Sequence, residues 1–316
     1  MASPSIRQTA PPPSRHRTRG VRMRSWYDKT GFWLLLLLPV LITLAVFQFY
    51  PLLETLRMGW TDEGARTADP GFVGAQNFER LLTEDPHFWG IVRNSFIWVF
   101  LSVILQLVIG TLAALVLNSK IALRSVWRGL LMVPWVTPTV VVGVIWRWIF
   151  EGSNSGLANF FLTRLGVFDQ PTVFLASEFW VWPVLLFAST WKGVPFVTLL
   201  VLAALQGVPQ DLHESAAVDG AGRVKRFFHV TIPSIRGTLF TTGMISLVTT
   251  WFKFELIWAL TNGGPGFATS ILPTYVYTWA FNRLEYGMAG AVATLALVII
   301  FVVAAMYALL FRDKES

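Results

Sequence analysis

Residues 94–119 read NSFIWVFLSVILQLVIGTLAALVLNS, a stretch of 26 residues without one charged side chain. An α-helix needs about 20 predominantly apolar residues to cross the hydrocarbon core of a bilayer. A surface helix of a water-soluble protein would carry charged residues on its outer face within this length. The stretch therefore predicts a transmembrane helix and places the chain among integral membrane proteins.

Five further stretches have the same apolar character, at 31–53, 129–146, 179–210, 237–282 and 286–311. We therefore expect six transmembrane helices, near residues 32–52, 94–117, 129–149, 180–206, 238–261 and 286–311. The predicted fold class is an all-α polytopic membrane protein. Gly287, Gly290 and Ala291 form a small-residue face on the sixth helix, which predicts close helix packing.

The composition agrees with this class. Of the 316 residues, 54% are hydrophobic and only 14% are charged, and the mean hydropathy is +0.56. A soluble domain would carry about 25% charged residues. The chain has no cysteine, which excludes a disulfide scaffold, a thiol enzyme and a cysteine-ligated metal site.

The distribution of basic residues predicts the orientation in the membrane. If the N-terminus is cytoplasmic, the inner segments 1–30, 118–128, 207–237 and 312–316 hold 16 Lys and Arg in 77 residues, against seven in 96 for the outer segments. Basic residues concentrate in short cytoplasmic loops, so we expect both termini inside. This pattern accounts for the net charge of +7 without nucleic-acid binding. Residues 1–30 read as a disordered basic tail, and 31–312 as the transmembrane domain.

Eight tryptophans lie near the predicted helix boundaries, where an aromatic belt is the expected interpretation. They are Trp26, Trp33, Trp89, Trp98, Trp146, Trp148, Trp180 and Trp182.

The largest predicted cytoplasmic loop, 207–237, begins GVPQDLHESAAVDGAGRVKRFFHVTIP. Asp211 is a candidate N-cap for a two-turn helix over 212–219. Gly220 is placed to end that helix in a left-handed conformation. A second short helix follows, with Val224, Phe227 and Phe228 on its apolar face.

The first of these helices has small side chains at its centre, Ser215, Ala216 and Ala217, which would let its backbone sit deep in a cleft of another protein. The alternative is an ordinary connection lying on the membrane surface. The residues alone leave both interpretations open.

The loop resembles the "EAA" segment of permease subunits of bacterial ABC importers, whose pattern is E-A-A-x3-G-x9-I-x-L-P. Glu214, Ala216, Gly220 and Pro233 match at the family spacing, whereas Ser215, Val230 and Ile232 are mild departures. The string 212–221 is similar to the carbohydrate permeases of the maltose-type branch. The resemblance extends over about 32–311, through WKGVPF at 191–196 and TNGGPG at 261–266.

The resemblance implies a type I ABC importer permease in the inner, cytoplasmic membrane of a bacterium. It implies four kinds of partner: a second permease subunit, two ATPase subunits, an extracytoplasmic solute-binding protein and the lipid bilayer. ATP and Mg²⁺ would be bound by the ATPases, and this chain would hold no cofactor. The residues that would dock on an ATPase are Glu214, Ser215, Ala216, Ala217, Asp219, Gly220 and Ala221.

The chain itself lacks the chemistry of an enzyme. It contains no G-x-x-x-x-G-K-[ST] phosphate-binding loop, so it is not expected to hydrolyse ATP unaided. Its four histidines, His16, His87, His213 and His229, lie outside the predicted spans and show no metal-ligand spacing. We therefore expect no catalytic residue and no metal site.

Charges within the spans are candidates for the solute pathway, because a charge in a span costs roughly 2.5 to 3.5 kcal/mol and usually faces the protein interior. With the rings around them, the candidates are Trp191, Lys192, Trp251, Phe252, Lys253, Phe254, Glu255 and Trp258. Rings and a few polar groups suit the apolar faces and hydroxyls of a sugar. The alternative is structural, with charges that reach the interface and rings that pack between helices.

Gly263, Gly264 and Pro265 end the fifth span, either as a tight outer turn or as a hinge or gate. The leading function is a permease subunit that carries a carbohydrate. A secondary transporter or channel for a small polar solute is the alternative, although Glu255 is the one acid in a span that could couple an ion. An intramembrane enzyme is disfavoured because no catalytic set is visible.

Overall fold

The computed structural model describes residues 32–119 and 121–312, so the predicted tail 1–30 lies outside the described residues. Apart from one isolated bridge between Thr61 and Phe72, regular structure within these ranges is helical. The α-helices are α1 (Phe32–Leu44), α2 (Tyr50–Met58), α3 (Gln76–Glu79), α4 (Phe88–Asn118), α5 (Arg124–Val136), α6 (Thr139–Ile149), α7 (Leu157–Arg164), α8 (Glu178–Gln206), α9 (Gln210–Val218), α10 (Arg223–Arg226), α11 (Ile232–Trp251), α12 (Phe254–Thr261), α13 (Leu272–Tyr277) and α14 (Tyr286–Arg312).

The chain divides into two compact units at Glu54 and Thr55. In the first unit, α1 continues through a π-helical turn at Ala45–Phe49 into the start of α2. Pro39 lies inside α1, and the hydroxyl of Thr43 donates to its carbonyl oxygen over 2.8 Å. This segment is leucine-rich, and its mean hydropathy of 2.1 over an 18-residue window suits a membrane-spanning helix.

In the second unit, α4 and α8 form the central helix pair. A Cβ atom on Gly110 of α4 would come within 2.7 Å of the Cβ of Val197, so the two backbones approach closely there. The side-chain amide of Gln106 donates to the carbonyl oxygen of Ser189 over 3.2 Å. Small residues and interhelical hydrogen bonds are the means by which helices associate in lipid.

Close packing also holds α14. A Cβ atom on Gly290 would lie 2.6 Å from the amide nitrogen of Gly59 and from the carbonyl oxygen of Thr55. The small-residue face predicted for the sixth span is confirmed, and it receives the segment that leaves α2.

Four continuous helices of the described chain are long and apolar enough to cross a membrane: Leu35–Met58, α4, α8 and Tyr286–Leu310. Two bent pairs, α5 with α6 and Arg223–Trp251 with α12, are long and apolar enough together to form either a broken crossing or a re-entrant segment. Counting each pair once gives the six crossings that the sequence predicts.

The prediction of one continuous helix near 129–149 is wrong. The axis turns by 95° between α5 and α6. Pro138 is the cause, because it has no N–H and it disfavours helical geometry in the residue before it. Thr137 accordingly has an extended ψ of 129°.

The fifth span is also broken, by 49° between Trp251 and Phe254. No proline lies there. The amide of Phe254 donates to the carbonyl oxygen of Phe252 over 2.8 Å, and the carbonyl of Thr250 accepts from the indole of Trp98 at 3.2 Å. Trp98 is fully buried, so its assignment to an aromatic belt is wrong, and it stabilises the break from α4.

Candidate functional site

Helix α9 projects from the loop that carries the resemblance to the EAA segment. It spans Gln210–Val218, so it begins two residues earlier than predicted. Asp211 is therefore not the N-cap. It lies in the first turn, where a carboxylate interacts favourably with the helix dipole.

The C-terminus of α9 is a complete Schellman motif. The amide of Ala221 donates to the carbonyl oxygen of Ala216 over 2.9 Å, and that of Gly220 donates to Ala217 over 3.1 Å. Gly220 has a φ of +76°, which confirms the predicted left-handed turn. The helix therefore ends sharply, with the carbonyl groups of Ala216 and Ala217 satisfied.

The surface of α9 is open. None of its residues is buried, Val218 is 89% exposed, and His213 and Ala216 are half-buried. The remaining docking candidates, Glu214, Ser215, Ala217, Asp219 and Gly220, are exposed, and Ala221 is half-buried. An exposed apolar end and small central side chains form a surface without a partner in the described chain.

A continuous helical segment, which we call the rod, follows α9 in the chain. The helical segment Arg223–Trp251 consists of α10, a π-helical turn at Phe227–Thr231, and α11. The predicted second short helix is thus the first part of the fifth crossing. The guanidinium of Arg226 donates to the carbonyl oxygen of His213 over 3.4 Å, which ties the rod back to α9.

The other end of the rod is the break at Phe252 and Lys253, beside the predicted pathway charges. Lys253 is the N-cap residue of α12, and Glu255 lies in its first turn. Lys192 in α8 is within electrostatic range of Glu255, and Lys253 is within range of both. The structure therefore brings the three charges within electrostatic range of one another, although none forms an ion pair with another described residue.

The aromatic candidates separate into two groups. Trp251 is buried in the chain's own core, with its ring edge-on to Phe96 at 5.7 Å, and Trp191 packs against Trp146 at 5.6 Å. Phe252 is 50% exposed, and Phe254 and Trp258 are half-buried and stacked at 5.4 Å. Trp251 alone lacks exposed ring surface, whereas the half-buried Trp191 and the second group keep ring surface that a solute could contact.

The segment after α12 is a tight turn. Gly263 has a φ of +83°, and its carbonyl oxygen accepts from the hydroxyl of Ser270 at 3.2 Å. The hydroxyl of Thr269 donates to the carbonyl oxygen of Gly264 over 2.7 Å. Asn94 of α4 donates to the carbonyl oxygen of Ala268 over 3.0 Å. The Gly264–Pro265 peptide bond is cis.

Sequence reasoning missed four residues that shape this region. Pro138 carried a readable signal, since proline interrupts helices. Trp98 was assigned to an aromatic belt because it lies near a predicted helix boundary. Tyr277 packs against the rings of α12, with a centroid distance of 4.4 Å to Trp258, and Phe281 stacks on Tyr277 at 4.7 Å. No local sequence pattern predicts these contacts.

In residues 32–119 and 121–312, no cluster of three His, Asp or Glu side chains could hold a metal ion.

Comparisons with known proteins give a consistent result. The family model for the binding-protein-dependent transport system inner membrane component matches residues 106–315. The trehalose/maltose transport system permease protein MalF of Thermococcus litoralis is 31% identical over 290 residues, which cover 92% of this chain and 97% of the relative. The sulfoquinovosyl glycerol transport system permease protein SmoG of Agrobacterium fabrum is 29% identical, over 89% of this chain and 90% of the relative.

Among solved structures, a bacterial ABC transporter involved in the import of the acidic polysaccharide alginate contains a chain with the same fold. The TM-score is 0.80 at 24% identity, and the match covers 93% of this chain and 100% of that one. The fold class predicted from the sequence is therefore confirmed, as a type I importer permease fold.

Proposed function

Because this chain belongs to the family of binding-protein-dependent transport system inner membrane components, we propose that it forms half of the pathway by which an ABC importer carries a saccharide, and that α9 docks on an ATPase subunit. The chain is a permease subunit of the inner membrane, and its family is a transport component rather than an enzyme.

The observation that carries the docking proposal is the geometry of α9. A short helix with no buried residue is held rigidly by the Schellman turn at its end and by Arg226 at its side. A rigid exposed helix transmits force, whereas a flexible loop would absorb it. From α9 the rod Arg223–Trp251 leads to the break beside Lys253, so movement of α9 would reach the pathway.

The partners follow from this assignment. We assign ATP and Mg²⁺ to two ATPase subunits on the cytoplasmic side, with one gripping α9, and delivery of the solute to an extracytoplasmic binding protein. A second permease subunit supplies the other half of the pathway. The names of the relatives, trehalose/maltose and sulfoquinovosyl glycerol, support a saccharide as the solute class.

The docking role is tested by an added arginine on α9. Ala217 is exposed at the centre of the small surface, so Ala217→Arg should block insertion into a cleft. The matched control is Ala122→Arg, an exposed alanine in the loop before α5, on the same predicted side of the membrane. We expect Ala217→Arg to lose co-purification of the ATPase and ATP-dependent uptake while its amount in the membrane stays normal. An Ala217→Arg complex that keeps both would contradict the docking role.

A further inference from the structure

Four aromatic rings form a continuous row in the segment between the fifth-crossing break and α14, which we call the ring row: Phe254, Trp258, Tyr277 and Phe281. The centroids of Phe254 and Trp258 are 5.4 Å apart, those of Trp258 and Tyr277 are 4.4 Å apart, and those of Tyr277 and Phe281 are 4.7 Å apart. Three of the contacts are stacked within 30°, including Phe254 on Tyr277 at 5.2 Å. The row begins next to Lys253 and ends in the turn before α14.

The ring row is not part of the packed core. Tyr275 and Trp279 point inward and are 0% and 2% exposed. Tyr277 and Phe281 alternate with them along the same helical segment; Tyr277 is half-buried and Phe281 is 65% exposed. Tyr275 and Trp279 therefore fill the interior, whereas Tyr277 and Phe281 present ring surface outside it.

The position of Glu255 beside the ring row indicates whether this surface faces water or lipid. Glu255 is exposed, directly follows Phe254, and lies one helical turn before Trp258. A carboxylate turned toward lipid is costly, and charged residues in spans therefore face the protein interior or a water-filled cavity. Since Glu255 and Trp258 are three residues apart and therefore neighbours on the surface of α12, the surface that carries Trp258 borders water rather than acyl chains.

We propose that the ring row is a saccharide-binding track in the outer half of the translocation pathway. This inference builds on the proposed function and assigns Tyr277 and Phe281 to the pathway. The apolar C–H faces of pyranose rings stack on aromatic faces, and Glu255 at the inner end accepts hydrogen bonds from hydroxyl groups. Stacking on an aromatic face does not depend on the configuration of the hydroxyl groups, so the track accepts different sugars. Each sugar can move along the row from one ring to the next.

The chain has no cysteine, so a single introduced thiol reports on its own surroundings. In the assembled importer in membranes, Phe281→Cys and Tyr277→Cys are treated with a charged, membrane-impermeant methanethiosulfonate, and modification of this chain is followed by mass. The matched control is Phe301→Cys in α14, an equally exposed phenylalanine at 66% on a wholly apolar face. We expect both ring-row thiols to react and the Phe301→Cys thiol not to react.

Occupancy is then tested with maltose, trehalose and cellobiose, against glycerol at equal osmolarity. Each disaccharide should slow modification of the Phe281→Cys thiol by about twofold or more, whereas glycerol, which has no ring face, should not. The proposal is overturned if the Phe281→Cys and Tyr277→Cys thiols react no faster than the control, or if disaccharides and glycerol act alike. The labelling requires no ATP, so protection without ATP-driven uptake would count against the importer assignment and not against the track.

Discussion

The ammonium group of Lys192 in α8 donates a hydrogen bond to the carbonyl oxygen of Thr137, 2.7 Å away, and reaches the carbonyl of Trp135 at 3.5 Å. Both carbonyls lie at the C-terminal end of α5, where the chain turns by 95°. The last carbonyls of a helix lack intrahelical donors and carry the negative end of its dipole. The side chain of Lys192 therefore links α8 to the break between α5 and α6.

Lys192→Met should destabilise the subunit. Methionine keeps the length of the side chain but has no hydrogen-bond donor. The carbonyl groups of Trp135 and Thr137 then lose their bonds to Lys192, which should lower the free energy of unfolding by about 1 to 3 kcal/mol. Thermal unfolding of the detergent-solubilised complex measures the loss. Lys192→Arg keeps a cationic donor and should retain most of the stability. Equal melting temperatures for Lys192→Met and the wild type would show that the contact contributes nothing.

The second helices of the two bent pairs, α6 and α12, pack together through Gly143 of α6. A Cβ atom there would lie 2.5 Å from the Cβ of Ala259 in α12, closer than real atoms approach. Gly143→Ala should therefore force the helices apart and cost about 1 to 3 kcal/mol. The measurement is the melting temperature of the complex.

The same crossing offers a control for that substitution. A Cβ atom on Gly129 of α5 would meet nothing within 4 Å. Because alanine favours a helix by about 1 kcal/mol over glycine, Gly129→Ala should raise stability or leave it unchanged. If Gly129→Ala and Gly143→Ala changed the melting temperature in the same direction, the close approach at Gly143 would not be the cause.

The sequence predicts those parts of the fold that depend on local chemistry. Long apolar runs with few or no charges predicted the crossings, and a glycine after a helix with small side chains predicted the left-handed end of α9 at Gly220. The break at Lys253 could not be predicted, because no proline marks it. At the break the carbonyl of Thr250 accepts from the amide of Lys253 at 3.2 Å and also from the indole of Trp98, 152 residues away in the chain, at 3.2 Å. Such a contact is fixed by tertiary packing rather than by any local pattern.

The turn at Gly220 should be needed for transport coupling. Alanine at a φ of +76° is strained by roughly 1 kcal/mol, so Gly220→Ala should loosen the end of α9. Gly222→Ala is the matched control, because Gly222 has a φ of −65° and neither position has an atom within 4 Å of a built Cβ. We expect uptake and binding-protein-stimulated ATPase activity to fall in Gly220→Ala alone. Equal activity in the two variants would show that transport coupling does not depend on the left-handed turn at the end of α9.

Tyr275, which lies between the fifth and sixth crossings, connects α13 to the start of α4. Its hydroxyl donates to the carboxylate of Asp85. The other carboxylate oxygen of Asp85 accepts from the amides of His87 and Phe88, at 2.8 and 3.2 Å. Burial, reinforced by the hydrogen bond to Asp85, raises the pKa of Tyr275 above its ordinary value of 10.0.

The raised pKa predicts a pH dependence with a defined sign. The neutral hydroxyl stabilises the folded subunit, and this contribution is fully present below the ordinary pKa of 10.0 and is lost as pH rises toward the folded-state pKa. Tyr275→Phe should therefore melt below the wild type at pH 7, by an amount equivalent to about 1 to 3 kcal/mol, and the difference should shrink above pH 10. A double-mutant cycle with Asp85→Ala isolates the pair, since Asp85→Ala alone also frees the amides at the start of α4. A difference that stayed constant from pH 7 to pH 11, or a coupling near zero, would contradict the assignment.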